Sequence, residues 1–201
     1  MHNPIIWADV PDPSVIRVGD TYYMSSTTMH MNPGVPIMKS NDLVNWEIVN
    51  YVYDVLGERD EQILANGCSE YGIGSWASSL RYHDGLYYVV FSSQTENSTF
   101  VFATKDIEHG PWEKYVLPFV HDMSLLFDDD GRVYLVYGTG DIRILELTEE
   151  ATAVKPNGLN QVIIPDSSAI AGDDIALPAE GAHIHKINGI YYIFLITWPR
   201  G

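Results

Sequence analysis

The stretch HDGLYYVVFS, at residues 83–92, places a tight turn at Asp84 and Gly85 directly before a run of aromatic and β-branched residues. A turn of this kind followed by such a run is typical of a β-hairpin. Three further stretches share the pattern: VGDTYYMS at 18–25, DDGRVYLVYG at 129–138 and INGIYYIFLI at 187–196. Few segments show sustained helical periodicity, so the sequence predicts an all-β fold.

The repeated hairpins also predict how the sheets are arranged. One tyrosine recurs in each hairpin, at Tyr23, Tyr88, Tyr134 and Tyr192. Their spacing is close to, or somewhat above, the roughly 40–50 residues of a propeller blade. We therefore expect a β-propeller, with an insertion at about residues 51–75 accounting for the longest spacing.

Composition limits the class of partner. The chain has 201 residues, 46% of them hydrophobic, and a formal net charge of −16. This charge disfavours nucleic acids and anionic lipids, so we expect neither nucleic acid nor membrane as a partner and leave a neutral ligand open. The sequence shows no apolar run of ~18 residues and no leader pattern. A cytoplasmic location is therefore expected, with secretion after removal of a leader left open. Cys68 is the single cysteine and is expected to be a structural thiol.

The residues that precede the hairpins predict a functional site. When the four hairpins are superimposed, Asp12, Trp76–Ala77, Asp122 and Glu180 fall at the same point of the repeat. The inner strands of a propeller surround one channel, so equivalent positions converge on one face. Three carboxylates and an aromatic ring are therefore expected to meet there.

Clustered carboxylates favour catalysis over stability because like charges repel. Hydrolysis of a glycosidic bond needs one carboxylate as a base and one carboxylic acid as a proton donor. A third carboxylate beside the acid raises its pKa and keeps it protonated near neutral pH. An alternative is that these side chains only cap the strand starts or bind calcium.

Three motifs in order along the chain carry a family resemblance: PDPS at 11–14, DMS at 122–124 and EGAH at 180–183. In these motifs the sequence, from about residue 3 to 201, resembles glycoside hydrolase family 43. The resemblance implies a five-bladed β-propeller, with Asp12 as the general base, Asp122 as the pKa modulator and Glu180 as the general acid.

The resemblance also implies an activity. It is that of an exo-acting, inverting hydrolase releasing xylose or arabinose from hemicellulose-derived oligosaccharides, with β-xylosidase favoured. The alternatives are α-L-arabinofuranosidase, endo-arabinanase and, from another class, a non-catalytic sugar-binding propeller. The hairpins amount to about three and a half blades, so residues 1–201 are expected to be the N-terminal portion of one catalytic domain. No cofactor is required by this chemistry, and the family resemblance leaves a structural calcium ion in the central channel open. The oligomeric state is not predicted.

Other side chains are secondary candidates. Trp76, His183 and His30 are expected to contact the sugar, while core packing for Trp76 and a surface-loop position for His30 are the alternatives. His121 is expected to support Asp122. A zinc site at His183 and His185 is not expected, and no metal ligands are assigned.

Overall fold

The computed structural model describes residues 3–29, 32–69 and 71–200. Strands make up nearly all of its regular structure, with one short α-helix, α1 (Asp60–Ile63), and a 3₁₀ turn at Ala169–Ala171. The strands are β1 (Ser14–Val18), β2 (Thr21–Ser25), β3 (Gly34–Ser40), β4 (Glu47–Tyr53), β5 (Ser79–His83), β6 (Leu86–Ser93), β7 (Ser98–Thr104), β8 (Glu113–Pro118), β9 (Ser124–Phe127), β10 (Val133–Tyr137), β11 (Ile142–Leu147), β12 (Asn160–Ile164), β13 (Ile175–Ile187) and β14 (Ile190–Pro199). The prediction of an all-β fold is confirmed.

The strands form antiparallel sheets in chain order. Strands β1–β4, β5–β8 and β9–β12 each form a four-stranded meander, and β13 pairs with β14. Each sheet starts with one of the four predicted hairpins, and the insertion lies between β4 and β5, where it contains α1.

Successive sheets pack face to face through three apolar clusters. The first joins the β1–β4 and β5–β8 sheets and includes Ile37 and Phe91; the second joins β5–β8 to β9–β12 and includes Val90 and Leu135. The third joins β9–β12 to β13–β14 through side chains such as Val136 and Ile184. Each cluster lies between two sheets that are consecutive in the chain, so the sheets pack in chain order.

Serine side chains connect the first strands of neighbouring sheets. The serine that begins one first strand accepts a hydrogen bond from a backbone amide of the next first strand. The bonds run from Leu80 N to Ser14 Oγ at 3.0 Å, from Leu125 N to Ser79 Oγ at 3.0 Å and from Ile184 N to Ser124 Oγ at 3.2 Å. These bonds align the starts of the first strands and so fix the positions of the residues just before them.

Arg81 lies among the same strands and crosslinks three of them. Its guanidinium donates to the carbonyl oxygens of Leu125 at 2.7 Å, Leu80 at 2.8 Å and Ile184 at 3.2 Å, and to Ser124 Oγ at 2.7 Å. Removal from water lowers the pKa of Arg81 to about 10. The inner strands thus enclose a positive charge supplied by the chain itself.

The fourth sheet is less covered than the others. Tyr23, Tyr88 and Tyr134 are 7%, 5% and 5% exposed, whereas Tyr192 is 43% exposed. Within the described residues this sheet has two strands, which leaves one face of β14 open to solvent.

No helix in the described part of the chain is long and apolar enough to cross a membrane.

Candidate active site

Asp12 and Asp122 occupy the same backbone position in two sheets. Each lies two residues before a first strand, and each has a positive φ, 48° for Asp12 and 46° for Asp122. Aspartate adopts this left-handed conformation at lower cost than most residues. The shared conformation turns both aspartates out of the line of the strand that follows.

A loop after β2 holds Asp12. Thr27 Oγ1 donates to Asp12 Oδ2 at 2.9 Å, and Pro11 O accepts hydrogen bonds from Thr27 N at 3.1 Å and Ser26 Oγ at 2.6 Å. These contacts fix both the backbone and the carboxylate of Asp12.

Strand register places Glu180 one residue earlier in the repeat than the two aspartates. Asp12 and Asp122 lie four residues before Ile16 and Leu126, which pair with Tyr23 and Tyr134. Glu180 lies five residues before His185, which pairs with Tyr192. The repeat equivalents are therefore Asp12, Ala77, Asp122 and Gly181 in one set, and Trp76, His121 and Glu180 in the other. The expectation that all three acids share one repeat position is wrong by one residue for Glu180.

The three acids nevertheless line one cavity of about 400 Å³, together with His183 and, from the first set, Ala77 and Gly181. Apolar side chains from the fourth sheet, including Phe194 and Ile196, also line this cavity. The structure thus brings together carboxylates that are distant in sequence.

The surroundings of Asp122 disfavour a negative charge. Burial raises its pKa, and the nearby carboxylates of Glu180 and Asp12 raise it further. The charge of His121 and the backbone N–H of Gly181 act in the opposite direction. The balance favours the protonated form of Asp122 more than in water.

His121 contacts Glu180 more closely than Asp122. Its Nε2 atom is 3.0 Å from Glu180 Oε2 and 3.8 Å from Asp122 Oδ2. The His121 ring also packs edge-on against Trp76, with 5.8 Å between ring centroids. The sequence analysis predicted that His121 supports Asp122 and missed its contact with Glu180. The shared repeat position of Trp76, His121 and Glu180 is the feature of the sequence that could have indicated this contact.

The three secondary candidates, Trp76, His183 and His30, differ in where they lie relative to the cavity. His183 lines the cavity, and burial, reinforced by the charge of Arg81, lowers its pKa. Trp76 is half-buried and contacts His121, while Ala77 is the residue from that segment among the cavity walls. His30 lies outside the described residues.

The described residues do not fit a calcium ion among the inner strands. Calcium takes six to eight oxygen ligands. The carbonyls of Leu125 and Ile184 instead accept hydrogen bonds from Arg81, whose charge repels a second cation. The ligand atoms of His121, Asp122 and Glu180 lie within 4.8 Å of one another, and two of these residues, Asp122 and Glu180, are acids that line the cavity.

Carboxylates gathered at one cavity are what most glycoside hydrolases use to cleave a glycosidic bond. The family model for glycosyl hydrolases family 43 matches residues 1–196, and the chain belongs to this family.

Known relatives agree with this assignment. The chain is 32% identical to a β-xylosidase of Formosa agariphila, covering 99% of this chain and 34% of the relative. It is 31% identical to a non-reducing end α-L-arabinofuranosidase of Bacteroides ovatus, covering 95% of this chain and 35% of the relative. A solved structure described as a bifunctional GH43-CE protein of Bacteroides eggerthii superimposes with a TM-score of 0.93 at 55% identity, over 99% of this chain and 26% of that one. The chain thus spans about a third of the length of these curated relatives.

Proposed function

We propose that this chain carries the catalytic carboxylates of an exo-acting, inverting glycoside hydrolase that releases a pentose, with β-xylosidase as the first choice. The observation that carries the proposal is that Asp12, Asp122 and Glu180 line one cavity while each has different neighbours. A sugar-binding propeller without catalysis would not need to gather three carboxylates at a cost in repulsion.

The neighbours of each carboxylate support separate roles. Asp12 is held by a hydroxyl and acts as the base that removes a proton from the attacking water. Glu180 acts as the acid that protonates the leaving oxygen. Asp122 is the third carboxylate, the modulator beside the acid, and supports the orientation of Glu180.

The architecture that goes with this function is a five-bladed propeller. In this proposal the three meanders are blades one to three, and β13 and β14 belong to blade four of a single catalytic domain. The serial packing of the sheets and the open face of β14 support it.

The substrate is a neutral sugar, which suits the acidic chain. Xylosidase is favoured over arabinofuranosidase because several of the similar curated proteins are named β-xylosidase or putative β-xylosidase. The test compares hydrolysis of nitrophenyl β-xyloside and nitrophenyl α-L-arabinofuranoside by the full-length protein. Faster release from the xyloside is expected. Faster release from the arabinofuranoside would favour the alternative, and release from neither would contradict the proposed function.

Replacing Asp122 with asparagine is expected to lower activity and yet raise the melting temperature at pH 7. The folded-state pKa of Asp122 is raised above its unfolded value, mainly by burial, so ionisation above that pKa costs stability. Asparagine has the same shape and no charge. The gain in Tm should therefore shrink as pH falls towards about 4, where the unfolded aspartate also takes up its proton. Thermal unfolding at both pH values measures it.

Asp42→Asn is the matched control with the opposite sign. Backbone N–H groups of Asn45 and Val44 hold the pKa of Asp42 well below its usual range. Its charge therefore stabilises the fold above the unfolded pKa, and Asp42→Asn should lower Tm at pH 7 with a smaller effect at low pH. A fall in Tm at pH 7 for both variants would contradict the account of Asp122.

A further inference from the structure

We propose that His121 is a positioning residue for Glu180: it holds Oε2 of this carboxyl group, so that Oε1 is the oxygen that delivers the proton to the substrate. This inference rests on the proposed function and adds to it a residue and an atom.

The position of His121 follows from the repeat. His121 and Glu180 are equivalent residues of neighbouring sheets. Each lies five residues before the residue that pairs with the hairpin tyrosine of its sheet, Leu126 for His121 and His185 for Glu180. Equivalent residues of adjacent blades lie next to each other around the central channel. The contact is therefore built by the architecture and does not depend on a flexible loop.

Several contacts hold the imidazole of His121 in place. The backbone oxygen of His121 accepts a hydrogen bond from Gly138 N at 2.9 Å. The ring of His121 packs against Trp76, which precedes the second sheet. The side chains of His121 and Glu180 are 23% and 19% exposed, so water competes only weakly for the hydrogen bond between them. A ring held in this way restricts the rotation of the Glu180 carboxyl group.

The hydrogen bond gains strength as the reaction proceeds. In an inverting step the O–H bond of Glu180 breaks and its proton passes to the leaving oxygen, which keeps the electron pair of the broken C–O bond. Asp12 takes a proton from the water whose oxygen bonds to the anomeric carbon. Glu180 is then a carboxylate without hydrogen, so His121 Nε2 must be the donor.

Hydrogen bonds to a charged acceptor are stronger than those to a neutral one. The bond from His121 therefore stabilises the developing carboxylate more than the protonated acid, which lowers the barrier. The other ionisable groups around Glu180 are Asp12 and Asp122 in the cavity and His183 on its own strand. Both aspartates oppose the new charge on Glu180, which makes a hydrogen-bond donor to this carboxylate more valuable.

The test uses two substrates with the same sugar and different leaving groups. Xylobiose needs full protonation of its leaving oxygen, whereas 2,4-dinitrophenyl β-xyloside hardly needs it. In the full-length protein, His121→Phe keeps a flat ring against Trp76 and removes the donor. It should lower kcat for xylobiose by roughly tenfold or more, within the ~10²–10⁴-fold that general acid catalysis supplies, and change the dinitrophenyl rate much less.

Two further variants separate positioning from packing. His121→Gln places an amide donor near the position of Nε2 and should recover much of the xylobiose activity. His109→Phe removes another histidine that contacts a carboxylate, Asp106, with Nδ1 3.1 Å from Oδ2, and this pair is exposed and outside the cavity. His109→Phe should leave both rates unchanged.

Equal losses on both substrates, or an unchanged rate on xylobiose with His121→Phe, would overturn the inference. Glu180→Gln, measured in parallel, separates this failure from failure of the proposed function. If Glu180→Gln loses xylobiose activity and His121→Phe does not, only the role of His121 is wrong. If Glu180→Gln keeps full activity, both the inference and the assignment of the acid are wrong.

Discussion

Replacing Glu180 with alanine is expected to lower kcat on xylobiose by ~10²–10⁴-fold, the contribution of a general acid, and to spare most of the rate on 2,4-dinitrophenyl β-xyloside. The dinitrophenolate leaves without a proton, so the missing acid matters little. Asp12→Ala should lower the rate by a similar factor on both substrates because the attacking water lacks its base in either case. Steady-state kinetics with the two substrates measures the contrast.

The two variants serve as controls for each other because both side chains line the same cavity. Circular dichroism and Tm close to those of the unmodified protein show that the loss is chemical. Rescue of Asp12→Ala by the activated substrate, with no rescue of Glu180→Ala, would mean that the roles of base and acid are reversed.

Replacing Arg81 with methionine is expected to destabilise the protein by on the order of 3 kcal/mol, since each buried acceptor left without a donor costs about 1–3 kcal/mol. Arg81 donates to carbonyl groups of three first strands, those of Leu80, Leu125 and Ile184. Methionine has a similar length and no donor. Part of the loss is offset because the buried charge is also removed. Denaturant unfolding measures the change.

Arg17→Met is the matched control. Arg17 lies in β1, the first strand of the first sheet, but its side chain is 60% exposed and its contact with Asp20 lies at the surface, at 3.3 Å. Exposed ion pairs contribute little to stability, so the midpoint should hardly move. Similar midpoints for the two arginine variants would contradict the role given to Arg81.

The hairpins and the two aspartates could be predicted because both depend on local patterns. Turn residues followed by aromatic runs define β1–β2, β5–β6, β9–β10 and β13–β14, and all four form. Asp12 and Asp122 lie at the same distance before a first strand, which is visible in the sequence. Their convergence follows from the repeat.

The predicted place of Glu180 in the repeat is wrong by one residue because the turn of the third hairpin is one residue longer than that of the fourth. The hairpin from Leu126 to Tyr134 has one residue more than the one from His185 to Tyr192. Segments of equal length therefore do not align residue by residue. Sequence alone does not separate turn length from strand length, and the partnership of His121 with Glu180 was missed for this reason.

Arg81 was missed because its role is entirely tertiary. An arginine in a strand that also carries Tyr82 and His83 is usually exposed. Its acceptors come from β9 and β13, which are distant in sequence. No local pattern specifies such a contact.

The central claim is that Asp12 and Glu180 act on opposite sides of the anomeric carbon in a single displacement. Proton NMR of the first xylose released from nitrophenyl β-xyloside, recorded before mutarotation, tests it most directly. The account predicts that α-xylose appears first and the β-anomer grows in later. Initial release of β-xylose would require a covalent intermediate and would contradict the account.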